Sequence, residues 1–172
     1  TKGASKVFEV IKEFEDVPKW TMNNFFLNDK LRNLNNIQLV TLLDDSDIEN
    51  NLLWECVHKN KPLILQEITD IGYQRIKRIK DNYDNMTCML TRYRSRLGIG
   101  PRLIILAIML GIKNIYICGF DGYIENKIGS HSFEKNKDVP AWFKIGGENL
   151  QSQQFLIFWT YILNLQKIYN FK

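Results

Sequence analysis

The chain is poor in the residues that build metal centres and disulfide frameworks. Its 172 residues hold two histidines, His58 and His131, and three cysteines, Cys56, Cys88 and Cys118. Two histidines exclude a histidine-rich metal cluster. Three cysteines cannot all pair and none forms a CxxC, which argues for a reduced, cytoplasmic setting. Long apolar runs are also missing. The longest, Leu103 to Leu110, is far too short to span a bilayer. No stretch near Thr1 has the order of a signal peptide. Hydrophobic residues at 45% and charged residues at 24% are globular values and exclude a disordered tail, a collagenous repeat or a coiled-coil rod.

Charge of one sign is scarce except in one place. The net charge is +4. Between Arg75 and Arg96 lie seven basic residues (Arg75, Lys77, Arg78, Lys80, Arg92, Arg94, Arg96) against Asp81 and Asp84, so this segment carries +5 and the remainder −1. A local patch suits a phosphate-bearing ligand, an anionic lipid surface or a nucleic-acid backbone. Taken singly, Arg75 and Lys77 read as a solvated helix face.

Short apolar runs alternate with helical patterns. Helices are expected over Ser5–Phe14, from Ser46 (a capping box with Glu49), over Thr69–Lys80, over Pro101–Leu110 and over Gln151–Tyr169. Lys19–Phe26 reads as a short strand running into a turn at Asn23 and Asn24, and strands are expected over Ile37–Leu42, Leu63–Leu65, Thr87–Leu90 and Asn114–Phe120. The alternation predicts one α/β domain over residues 1–172. Its fold would be a Rossmann-like, mostly parallel sheet with helices on both faces. Thr1 to Ser5 reads as the turn after a first strand, so that strand is expected upstream of Thr1. The polar stretch Ile124 to Gly147 has little periodicity and reads as a lid.

Parallel sheets bind ligands at the carboxyl ends of their strands. Gly98-Ile99-Gly100-Pro101 opens the most apolar helix, and free N–H groups there suit an anion. Asp121 follows the most apolar strand and could hold a ribose, a metal or an attacking hydroxyl. Asn23 and Asn24 are turn residues by pattern, and amides also read bases and sugars. His131, in the lid, is a candidate general base. His58, beside Lys59 near a helix end, reads as structural.

Two stretches are similar to the bacterial lipooligosaccharide sialyltransferase family, which transfers sialic acid from CMP-sialic acid. They are Lys2-Gly3-Ala4-Ser5 with Met22-Asn23-Asn24-Phe25-Phe26, and Arg96 to Tyr123, RLGIGPRLIILAIMLGIKNIYICGFDGY. The second also resembles Rossmann-like domains of the 6-hydroxymethylpterin pyrophosphokinase type. The first resemblance implies that Gly3 and Ser5 line a phosphate loop and that Asn23 contacts the cytidine portion of the donor. It places Arg96 and Gly100 at the donor or acceptor pocket, and Tyr116 and Tyr123 on the leaving phosphate. It implies no metal and no cofactor beyond a nucleotide-sugar donor, CMP-linked by preference. The family histidine is missing near Gly146-Gly147-Glu148-Asn149, which leaves His131 and Asp121 as acid/base candidates. The expected partners are a nucleotide sugar and a glycan acceptor, not nucleic acid. The expected place is the cytoplasm, and a contact at the inner membrane face or a homo-oligomer is compatible with it. Two other readings stand: a diphosphotransferase using ATP and Mg²⁺ with Asp121 as ligand, and a non-catalytic domain of a larger biosynthetic protein.

Overall fold

The computed structural model describes residues 9–42, 45–67, 72–89, 99–118 and 150–169. Backbone contacts divide the chain into two compact units, Phe8–Tyr93 and a unit of Thr1–Val7 with Arg94–Lys172.

The first unit begins with helix α1, seen over residues 9–13. The Lys19 ammonium then donates to the carbonyls of Phe14, Glu15 and Val17 at 2.7–3.1 Å, closing the turn into β1 (Lys19–Met22). A 3-10 turn, Asn23–Leu27, and the short α2 (Asp29–Arg32) lead to β2 (Ile37–Thr41). Next come α3 (Asp45–Ile48), α4 (Asn51–Asn60), β3 (Leu63–Glu67), α5 (Tyr73–Asn82) and β4 (Met86–Met89). The four strands form a parallel sheet in the order β1-β2-β3-β4. The α/β, mostly parallel class expected from the sequence is the observed one.

Strand alternation sends Val40 and Ile64 to one face, where they pack in a core with Leu53, Cys56, Val57 and Ile79 from α4 and α5. Leu39 and Leu65 point the other way and are buried too, so both faces of the sheet are covered.

Three expectations are corrected. The helix from Ser46 is two helices, because the Asn50 side chain accepts the Leu52 N–H at 3.0 Å and starts α4 afresh. Such a cap is worth about 1 kcal/mol, and asparagine favours it over a helix interior. The Trp54 indole N–H donates to the Ile48 carbonyl at 2.8 Å and ties the two pieces together. Arg75 is buried rather than solvated, since it lies one turn before the fully buried Ile79 on the same face of α5.

The third correction lies in the second unit. Its α6 (Ile99–Met109) is buried almost throughout, as its all-round apolar sequence predicts. Gly111, at φ 77°, ends it. The Ile112 N–H reaches the Ala107 carbonyl at 3.0 Å and the Gly111 N–H the Ile108 carbonyl at 2.9 Å. Of the strand expected over Asn114–Phe120, the described part is not formed: residues 112–118 carry neither helix nor strand, and Tyr116, Ile117 and Cys118 are exposed. An apolar run becomes a strand only beside a pairing partner, and among the described residues it has none. The last helix, α7 (Leu150–Tyr169), buries Phe158, Ile162 and Leu165 as one stripe.

Burial gives Cys56 a measurable signature. Its thiol is 1% exposed, and burial pushes it above the ordinary cysteine range, opposed by the Asn60 amide and then by Lys59. The neutral thiol therefore favours the folded state. That contribution is complete below the unfolded thiol pKa and is lost as pH rises through the raised value. At mildly alkaline pH, alkylation read by mass spectrometry is expected to modify exposed Cys118 well before Cys56. Equal rates would mean that the core of the first unit is open.

Candidate functional site

The carboxyl edge of β1, β2 and β3 is where this sheet concentrates its buried polar side chains. Register fixes the layout. Met22 in β1 lies beside Thr41 in β2, and Thr41 beside Leu65 in β3, so Asn23, Thr41 and Gln66 fall within one residue of a common level. Two strand spacings, roughly 10 Å, separate the outer pair of strands.

Each residue reaches this edge for a local reason. Asn23 takes φ 50°, a left-handed conformation that asparagine tolerates better than most residues, and turns the chain out of β1. Phe25 and Phe26 anchor that turn in the core, their rings edge-to-face at 5.7 Å. Thr41 is the last residue of β2, and Gln66 and Glu67 the last two of β3. Thr41, Gln66 and Glu67 are all buried, as are Asp47 from α3 and Arg75 from α5. Asp47, Glu67 and Arg75 have partners. By contrast the Asn23 Oδ1, the Thr41 Oγ1 and the Gln66 Nε2 are buried with no hydrogen-bond partner. A buried polar atom left in this state costs about 1–3 kcal/mol, and a native fold keeps few of them. Alternation turns Thr41 to the Leu39 face and Gln66 to the Ile64 face, so with Asn23 they leave three valences that only a polar ligand lying across the end of the sheet could complete.

Two open grooves lie at the opposite, amino-terminal end of the sheet. One, of about 420 Å³, is lined by Lys12, Glu15, Lys19, Asp29 and Lys30 among others. The second, of about 540 Å³, is lined by His58, Lys61, Lys80, Asp81, Tyr83 and Asp84 among others. The Tyr83 hydroxyl is already committed to the Pro62 carbonyl at 2.7 Å, and His58 is exposed with its ring near those of Trp54 and Tyr83. The grooves are wide surface depressions of mixed charge. The carboxyl edge, with its unsatisfied atoms, is the better site.

Of the residues singled out from sequence, Asn23 stands at this edge and serves as both turn residue and candidate contact. Gly100 is buried in the first turn of α6, and Tyr116 is exposed after α6; both belong to the other unit. Gly3, Ser5, Arg96, Asp121, Tyr123 and His131 lie outside the described residues, as does the lid over 124–147. Sequence reasoning missed Thr41 and Gln66. The signal was there: strands buried on both faces read as continuous apolar runs, and β2 and β3 each turn polar while still pairing. No family model, no curated protein and no solved structure matches this chain.

Proposed function

We propose that this chain is a nucleotide-sugar-dependent glycosyltransferase, sialyltransferase-like, whose CMP-linked donor sits on the carboxyl edge of β1 to β3. The observation that carries the reading is the set of unpartnered buried atoms on Asn23, Thr41 and Gln66. One donor, one acceptor and one hydroxyl, none of them charged, suit the hydroxyls and ring atoms of a nucleoside or sugar. In the reaction the acceptor hydroxyl forms the new glycosidic bond while the bond from the sugar to the phosphate breaks. On the resemblance in sequence alone, His131, or else Asp121, would take the hydroxyl proton and Arg96 with Tyr116 and Tyr123 would stabilise the departing phosphate; all five belong to the other unit, and of them Tyr116 alone is among the described residues.

The test is calorimetry with CMP, CDP, UDP and ATP, with and without Mg²⁺. CMP binding without metal is the expected result, weakened about tenfold in Asn23→Ala, as for one lost hydrogen bond to a buried group. Binding of ATP alone, and only with Mg²⁺, would replace this reading by a diphosphotransferase. Silence toward all four would leave a non-catalytic domain.

A further inference from the structure

We propose that the opening turn of α5, together with Gln66, binds an anionic group of the ligand, a phosphate or a carboxylate. The inference rests on the reading of the carboxyl edge as a nucleotide-sugar site and names what lies at its β3 end. Topology brings the two features together. β3 and β4 are parallel neighbours, so α5, the crossover between them, starts at the carboxyl edge and runs back along the sheet. Ile64 of β3 and Ile79 of α5 lie in one core. Two residues beyond Ile64, roughly 7 Å toward the edge, comes Gln66 on the same face. One turn before Ile79, about 6 Å toward the same edge, comes Arg75, and Gly72 stands just ahead of the helix. Gln66 therefore faces the opening turn of α5.

That turn offers donors. The N-cap is Gly72, which has no side chain to cap the helix, and the first turn holds no acidic residue. The Arg75 and Ile76 N–H groups donate to the Gly72 carbonyl at 3.0 and 3.2 Å. Those of Tyr73 and Gln74, ahead of them, have no acceptor among the described residues, and the positive end of the helix dipole lies with them. Gly72, Tyr73 and Gln74 are exposed, and a Cβ added at Gly72 would meet no atom within 4 Å, so the space in front is open. On the inner side lies Gln66, 2% exposed, its Nε2 without a partner. The buried charges of this region, Arg75 and the Asp47 of α3, have partners of their own. A side-chain N–H₂ and main-chain N–H groups at a helix start suit oxygens that only accept, those of an anion. None of these residues is one that the sequence resemblance assigns to the donor.

Calorimetry on the full chain with cytidine, CMP and free sialic acid tests this. Gly72→Asp sets a carboxylate over the same N–H groups. The backbone there, at φ −82° and ψ 156°, suits any residue and the new Cβ has room, so the melting temperature should hold or rise. Cytidine binding is expected to stay unchanged in Gly72→Asp, while CMP or sialic acid binds about tenfold more weakly or worse. Loss with CMP identifies the group as the phosphate, and loss with sialic acid as the carboxylate. Gly72→Ala, which leaves the N–H groups open, should bind all three as the parent does. Unchanged binding of both anions in Gly72→Asp would overturn the inference, and the nucleotide reading would stand if the parent binds CMP. Equal losses in Gly72→Ala and Gly72→Asp would overturn it too, because the glycine and not the N–H groups would then be what matters. Binding of sialic acid alone, lost in Gly72→Asp, would uphold the anion site and remove the nucleotide. A parent that binds none of the three would overturn both.

Discussion

Phe26→Ala is expected to destabilise the first unit by about 3–5 kcal/mol, the range for truncating a buried aromatic ring. Phe26 is 1% exposed and sits in the core with Val40, Leu53 and Ile64. Its ring meets Phe25 edge-to-face, and its carbonyl accepts from the Arg32 guanidinium at 2.9 Å. No neighbour is free to fill the void, because the flanking side chains come from the sheet and α4, both fixed by their own pairings. The loss should appear as a lower midpoint in urea. Leu27→Ala, in the same turn but half-exposed, is the control and should change little. A loss below roughly 1 kcal/mol in Phe26→Ala would show that the 3-10 turn is not anchored in the core. The same substitution should weaken nucleotide binding, because Asn23 is held at the edge by the turn that Phe26 anchors.

The opposite sign is expected at the edge itself. Thr41→Val and Gln66→Met replace buried polar groups by apolar ones of similar size. Each removes an atom that has no partner, and each should stabilise the ligand-free protein by about 1–3 kcal/mol. The gain should be read as a higher melting temperature without ligand. The increase that CMP produces should shrink in both variants, because the atoms they remove are those a ligand would pair with. Stability held back at a site where function needs it is a general pattern. A lower melting temperature in both variants would mean that these atoms are already satisfied, and the edge would lose its claim as a site.

How much of this was legible depended on whether a feature was written locally. The buried α6 and its glycine stop were legible, because an all-round apolar run followed by Gly111 states both the helix and its end. The parallel sheet was legible from the alternation of short apolar runs and helical patterns. Asn23 was legible as a candidate, although pattern alone gave the turn and not the unpaired amide. The break at Glu49 and Asn50 was not, because two capping signals compete there and the indole of Trp54 helps settle the outcome. The strand expected over Asn114–Phe120 failed for a related reason: β-propensity describes a surface that fits a neighbour, and no residue in the run says whether the neighbour is there. Gln66 and Glu67 looked like the start of a loop, since the strand reading stopped at Leu65. Their burial comes from the register with Cys88 and Met89, more than twenty residues away in sequence.

The strand order has a consequence for how the chain assembles. In β1-β2-β3-β4 each strand pairs with the one made just before it, and the unit from Phe8 to Tyr93 is a single uninterrupted stretch. Every crossover therefore closes over a short length of chain, which keeps the entropic cost of each pairing step low. During synthesis the sheet can grow strand by strand behind the ribosome, and the edge that holds Asn23, Thr41 and Gln66 is complete once β3 has docked. A nascent chain halted far enough beyond Tyr93 for the whole unit to have left the ribosome is therefore expected to resist protease across it.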